Sequence, residues 1–346
     1  MTDQPSPSAS MRAAVYRRFG TPDVVRVEQL PRPVPRRGEV LVRVHASTVS
    51  VADHRARSLD IPSGLRIPAA PSIGVFRPRH RVLGMDVAGV VAAIGADVSR
   101  FAVGDEVIAM MGARFGGHAE YAVVSQDGAI TAKPRTMSFE EAVTLVFGGV
   151  TARGFLKQVT ITAGDTVLVN GASGAVGTAA VQLAKELGAD VTGVTSFVNR
   201  ELVSSLGADH IIDYTTDDFT AQNRRYNVII DCVGNAPFEK VTDLITPGGA
   251  LLLVISDLRS LLGSRRQSRR SGKIVTADVG PARAEDLAHL VGLAEAGRYT
   301  AVIDRSYDLA DIVEAHRYVD TGRKKGNVVL RLTTPTPHHL NEGPTS

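Results

Sequence analysis

The 346-residue chain has one cysteine, Cys232, no tryptophan, and only 5% aromatic residues. A single thiol excludes an internal disulfide and any zinc cage built from several thiolates. No run approaches the roughly 20 apolar residues that a membrane-crossing helix needs. The opening stretch, Met1 to Met11, is rich in Ser and Pro and lacks the apolar core of a secretory signal. The expectation is a cytoplasmic protein without a membrane attachment. An excess of one charge is also missing. The 39 Lys and Arg stand against 36 Asp and Glu, a formal net charge of +3, which is too even to suggest a nucleic-acid partner.

What is present is an ordinary globular composition, 44% hydrophobic and 22% charged. The length exceeds what one hydrophobic core serves well, so two domains are expected. Residues 1–10 and 334–346 are rich in Pro, Ser, Thr and polar residues without periodicity and read as flexible tails. From Met11 onward, short β-rich runs are punctuated by Gly and Pro: Ala13 to Tyr16, Val24 to Val27, Val40 to Val49, Val87 to Ile94, Glu106 to Met110 and Tyr121 to Val124. This rhythm predicts a compact, mostly antiparallel β domain.

From about Ser138 the rhythm changes to strand, glycine, helix, strand. Strands are expected at Thr166 to Asn170, Asp190 to Thr195, His210 to Ile212, Asn227 to Asp231, Ala250 to Ile255 and Lys273 to Thr276. Helical periods between them predict a doubly wound parallel α/β sheet with helices on both faces. A further helix, Leu309 to Thr321, and a strand, Asn327 to Leu332, exceed what such a domain needs. They are expected to return and complete the first domain, which gives domains of 11–137 with 305–332, and 138–304.

The sharpest local signal is Val167-Leu168-Val169-Asn170-Gly171-Ala172-Ser173-Gly174-Ala175-Val176-Gly177. A buried-looking strand runs into a glycine turn. Val176, Ala179, Ala180, Leu183, Ala184 and Leu187 then form one helical stripe. Glycines at 171, 174 and 177 permit a tight turn, a close approach to a pyrophosphate and close helix packing, while the helix N-terminus offers free N–H groups to phosphate. Dinucleotide binding by Gly171, Ser173, Gly174, Ala175, Val176 and Gly177 is the expectation. An NAD site usually ends its second strand with Asp or Glu, to hold the ribose hydroxyls. Here that strand ends Val194-Thr195-Ser196-Phe197-Val198-Asn199-Arg200, which favours NADPH and leaves NADH as the alternative. Ser196, Asn199 and Arg200 are candidates for the 2′-phosphate. Asn199 as a mere helix cap is the competing reading.

Several further pieces make the chain resemble the medium-chain dehydrogenase/reductase superfamily, in its zinc-free, quinone-oxidoreductase-like (zeta-crystallin-like) branch. They are Gly84-Met85-Asp86-Val87-Ala88-Gly89, Phe101 through Gly104-Asp105-Glu106-Val107, Gly117-His118-Ala119-Glu120-Tyr121, Gly148-Gly149-Val150-Thr151-Ala152, Leu206-Gly207-Ala208-Asp209 and Asp231-Cys232-Val233-Gly234. The likeness runs from Met11 to about Leu332. It implies a GroES-like β domain beside a Rossmann domain, with substrate in the cleft between them. It also implies Thr151, Gly234 and Asn327 along the nicotinamide half of the cofactor, Tyr214 near the adenosine, and a homodimer. Zinc-dependent members carry Gly-His-Glu where this chain has Gly84-Met85-Asp86, and a four-cysteine lobe that Cys232 alone cannot build.

The resemblance also frames the departures. Asp53 and Arg57 match the related pattern Asn-x-x-Asp-x-x-x-Arg, but Ser50 replaces the Asn, and His54 or Arg55 stands where an aromatic is usual. Ser50, Asp53, His54 and Arg57 are the catalytic candidates, with a structural ion-pair role the competing reading for Asp53 and Arg57. Close relatives often have Arg at the position of Val198. His118 is a further possible proton donor, and more often such a histidine is a satisfied core residue. Cys232 reads as a packed residue. Between Arg259 and Lys273 lie Arg265, Arg266, Arg269 and Arg270 with no acid among them. This segment reads as a solvated, mobile loop. A gate attracting anionic substrate, or a patch for nucleic acid or acidic membrane, are its alternatives.

The leading expectation is hydride transfer from NADPH to a quinone, enone or related carbonyl compound without metal. An NAD(P)-dependent alcohol dehydrogenase, or a nucleotide-binding protein without turnover, stay open beside it.

Overall fold

The computed structural model describes residues 9–333, so most of both expected tails lies outside the described residues. Ser10, counted with the first tail, instead opens strand β1 (Ser10–Tyr16), which pairs antiparallel with β2 (Val25–Pro31). Next come β3 (Glu39–Val49), β4 (Asp86–Ile94), β5 (Glu106–Met110), β6 (Tyr121–Ser125) and β7 (Ile130–Ala132). In β3, Val40, Val42 and Val44 are buried against one core while Arg43 reaches solvent, the alternation that a half-covered strand requires. Its residues 40–46 pair antiparallel with β4, and residues 39–43 with β6.

The second sheet is wholly parallel. It consists of β8 (Thr166–Asn170), β9 (Asp190–Thr195), β10 (His210–Asp213), β11 (Tyr226–Asp231), β12 (Ile245–Leu253) and β13 (Ile274–Thr276), in the order β10-β9-β8-β11-β12-β13. Val167, Leu168, Ile229, Ile230, Leu251 and Leu252 are completely buried. The near-continuous apolar runs follow from helices covering both faces. The strand order reverses between β8 and β11, and a doubly wound sheet opens its ligand crevice beyond the carboxyl ends of its strands at such a point.

The chain then leaves this sheet. β14 (Ile303–Asp308) runs parallel to β15 (Asn327–Arg331), and β15 lies antiparallel to β3, so the first sheet contains seven strands from both ends of the sequence. The Ile312–Asp320 helix between them buries Ile312, Ala315 and Val319 in the first core.

Three differences from the sequence reading have physical causes. β14 was not expected, because its residues Ile303-Asp304-Arg305-Ser306-Tyr307-Asp308 carry little apolar character, and it is the end strand of its sheet. β12 starts earlier than expected, at Ile245, because Pro247-Gly248-Gly249 is accommodated by a register shift against β11 rather than ending the strand. The basic segment, expected as a mobile loop, forms the Leu258–Ser271 helix. Asp257 caps it by accepting from Ser260 N–H at 2.7 Å, and Gly272 ends it in the left-handed conformation.

Candidate active site

A cleft of about 1160 Å³ is lined by residues from segments attached to both sheets. Its second-sheet wall is the turn after β8. Gly171 takes φ +77°, and a Cβ on Gly177 would stand 2.1 Å from the Gly171 carbonyl oxygen, so the Ala175–Glu186 helix passes tightly over the turn. A Cβ on Gly174 would meet nothing nearer than that oxygen at 3.6 Å, leaving this residue open toward the cleft. No side chain caps the helix at Gly174. Its first-turn N–H groups and the positive end of its dipole are therefore available to an anion. Gly171, Ser173, Gly174, Ala175, Val176, Gly177, Thr151 and Tyr214 all line the cleft. The tight helix packing, the uncapped N–H groups and the open face of Gly174 fit a dinucleotide diphosphate.

Ser196, Asn199, Arg200, Gly234 and Asn327 stand beside the wall rather than on it. Asn199 precedes the Arg200–Ser205 helix but makes no side-chain cap; its amide donates instead to Ser173 Oγ at 3.2 Å and Ser196 Oγ at 3.3 Å, tying the end of β9 to the glycine turn. Arg200 stacks on the Phe197 ring, 4.1 Å from its centroid. Gly234 sits between the lining residues Val233 and Asn235. Asn327 is buried and donates to the Val302 carbonyl at 3.1 Å.

Sequence reading missed several residues of the wall. Asn170 donates to Asp231 Oδ1 at 2.8 Å and to Asn235 Oδ1 at 2.7 Å, while Asp231 accepts from the N–H groups of Val233, Gly234 and Ala236, each at 3.0 Å. This network shapes the loop after β11, and its signal was there: both segments end strands flanking the reversal in strand order. Cys232 also lines the wall, and burial pushes its thiol up. Lys324 had no local signal. It reaches the wall because Gly326 N–H donates to the Ser173 carbonyl at 2.8 Å, fastening the carboxyl-terminal segment to the turn. Burial pulls its ammonium down to about 8, against the opposing charge of Asp304.

The first-sheet wall includes Val51, Ala52, Arg55, Ala56, Met85 and Phe115. None of Ser50, Asp53, His54 and Arg57 lies on it. Asp53 is buried, accepting from Ser50 N–H (2.8 Å), Ser50 Oγ (2.6 Å) and Gly84 N–H (2.8 Å), and thereby forms the capping box of the Val51–Ser58 helix. Arg57, fully buried, donates to the Gly20 carbonyl and to Asp320, which also takes His54 at 2.6 Å. His118 is interior, with Nε2 2.9 Å from the Thr48 carbonyl oxygen and its ring 6.0 Å from that of His316.

A catalytic zinc does not fit here. Met85 stands in the cleft where zinc enzymes of the superfamily have His, and a thioether is a poor zinc donor. Asp86 is buried behind it and held by Thr48 N–H at 2.7 Å and Thr48 Oγ1 at 2.6 Å. Among the described residues no group of three or more His, Cys, Asp or Glu is placed to hold a metal ion.

Comparison with known proteins agrees with this architecture. Residues 36–135 match the alcohol dehydrogenase GroES-like domain, and residues 206–330 match the family described as zinc-binding dehydrogenase. A 2-methylene-furan-3-one reductase of Solanum lycopersicum is 31% identical over 338 residues, covering 93% of this chain and 79% of that one. The chloroplastic quinone-oxidoreductase QR1 of Triphysaria versicolor is 33% identical over 342 residues, covering 92% and 98%. A solved quinone oxidoreductase from Coxiella burnetii superposes with a TM-score of 0.83 at 27% identity, covering 94% of this chain and all of that one. The chain belongs to the medium-chain dehydrogenase/reductase superfamily, in its quinone-oxidoreductase-like (zeta-crystallin-like) branch. It is an oxidoreductase whose fold implies a nicotinamide cofactor.

Proposed function

We propose that this protein transfers hydride from NADPH to a quinone, enone or related electron-poor carbonyl compound, without metal, as a cytoplasmic homodimer. The observation that carries the reading is the pairing of walls in one cleft: an uncapped helix N-terminus over a glycine turn faces an apolar surface without a metal-ligand set. Bound reduced nicotinamide supplies the hydride. The protein's share is to grip the diphosphate with the turn and align the acceptor against Val51, Ala52, Met85 and Phe115. The same surface keeps water away. An acceptor that already draws electrons needs no Lewis acid to be reduced.

The choice of NADPH is supported by the tip of β9, where Ser196 replaces the usual carboxylate and Asn199 and Arg200 stand close by. Ser50, Asp53, His54 and Arg57 act from behind the wall, positioning the helix that bears Arg55. The outer edge of β13, with exposed Ile274, is where two copies would pair. Among the described residues no helix is long and apolar enough to cross a membrane.

Titrating the protein separately with NADPH and NADH by fluorescence, and then screening quinones, enones and alcohols with the tighter cofactor, tests the reading. Tighter NADPH binding, with quinone or enone turnover that survives a chelator, is expected. Absence of affinity for either reduced cofactor, or activity that zinc restores after chelation, overturns it.

A further inference from the structure

We propose that the acceptor carries a negative charge, and that Arg55 is the residue that pairs with it. The proposal rests on the reductase reading above and names its substrate class.

Val51, Ala52, Arg55 and Ala56 fall on one stripe of the Val51–Ser58 helix and all line the cleft. The other polar side chains of that helix are committed: Asp53 to its cap, His54 and Arg57 to Asp320, and Ser58 Oγ to the His54 carbonyl. Arg55 is different. Its guanidinium takes part in no hydrogen bond and no ion pair among the described residues. Burial lowers its pKa, with the charge of exposed Asp60 opposing that effect. Ile61, Ile73, Met85 and Phe115 line the same cleft. A half-buried guanidinium on such a wall gains from an anion that meets it, and its planar fork suits a carboxylate or phosphate held by two bonds.

The charge of a helix that starts at the cleft points the same way. The Leu258–Ser271 helix begins three residues after Ile255, itself on the wall, and Leu258 N–H donates to the Ser63 carbonyl at 3.0 Å, joining the helix to the segment between the Val51–Ser58 and Arg66–Ile73 helices. Arg259, Arg265, Arg266, Arg269 and Arg270 are all exposed on it, and none forms an ion pair among the described residues. Asp257, the nearest acid in sequence, is occupied as the cap, and Glu239 meets the uncharged Gln267. The wall's own acids, Asp217 and Asp218, belong to the segment after β10, on the second-sheet side with Tyr214. An anionic acceptor is thus drawn by the field of a basic helix that starts at the cleft and held at the first-sheet wall, away from those carboxylates.

The cofactor is an anion too, so the test separates the two. The probes are a 1,4-naphthoquinone bearing a carboxylate and its neutral methyl ester. Affinity is measured by calorimetry on the NADP⁺-loaded protein, where nothing turns over, and KM is measured with NADPH. The wild-type protein should bind the carboxylate about 10- to 100-fold more tightly than the ester. In Arg55→Met the two probes should bind alike, and Arg55→Lys should recover part of the preference, with thermal unfolding reporting that both variants are folded. Arg265→Glu with Arg269→Glu should lower kcat/KM for the carboxylate and flatten its decline with salt.

Equal affinity of the wild type for both probes, or an Arg55→Met variant that weakens both equally, overturns the proposal. Loss of NADPH affinity instead of a lower kcat/KM for the carboxylate in the double Glu variant assigns the helix's charge to the cofactor and overturns the steering. Binding of the carboxylate without reduction of either quinone counts against the reductase reading and leaves the Arg55 site standing.

Discussion

Two glycines of the turn after β8 differ in what a single added carbon would meet. At Gly177 it would stand 2.1 Å from the Gly171 carbonyl oxygen, and at Gly174 the nearest atom is that same oxygen at 3.6 Å. Gly177→Ala should therefore lower stability by about 1–3 kcal/mol as the helix is pushed off the turn. Gly174→Ala should unfold at nearly the wild-type temperature yet lose NADPH affinity, because the methyl occupies the face where a diphosphate approaches. Melting curves and fluorescence titrations separate the two effects. Lys324 gives a pH signature. With its ammonium pulled down to about 8, it is charged below that pH and neutral above. NADPH affinity should fall as pH rises through 8, and Lys324→Met should remove that step. The linkage to stability has the opposite slope: between about 8 and the ordinary lysine value the unfolded chain binds more protons, so this group's contribution to stability rises with pH.

The Val51–Ser58 helix turns the catalytic candidates Asp53, His54 and Arg57 away from the cleft wall and into hydrogen bonds behind it. Asp53 accepts three hydrogen bonds, two of them from backbone N–H groups. Asp53→Asn keeps the shape but replaces an acceptor oxygen with a donor and should cost about 1–3 kcal/mol. If Asp53 works by position alone, kcat measured well below the melting temperature should stay near wild type. A collapse of kcat in fully folded protein would make it a chemical participant. The pattern around Asp53 and Arg57 was readable in the chain together with a structural ion-pair reading, but sequence did not choose between that and a catalytic one, because a capping box and a buried ion pair use the same residue types as an acid–base pair. The basic segment was misread for a related reason. Its run of arginines resembles a solvated loop until Asp257 and Gly272 are seen as the ends of one helix, and Asp257→Ala should destabilise that helix by about 1 kcal/mol in a thermal melt.

Across the whole molecule, the first sheet depends on a strand from the far end of the chain. β15 is hydrogen-bonded to β14 on one side and β3 on the other. Deleting residues 327–333 should leave β3 without that partner and expose the first core, which circular dichroism and limited proteolysis would register as loss of the folded state. Local pattern determined a great deal by itself. The parallel strands, the glycine turn and the missing carboxylate after β9 are written within short windows, because hydrophobic periodicity and glycine geometry act over neighbouring residues. Only the tertiary structure decided which residues face one another across the cleft. Arg55 on the first sheet's side and Lys324 beside the glycine turn line one cleft though they are far apart in sequence, and Ser50, Asp53, His54 and Arg57 turn inward behind the first-sheet wall. The direction in which a side chain points, and whether a partner waits there, is fixed by packing between segments remote in the chain, and no local window contains that information.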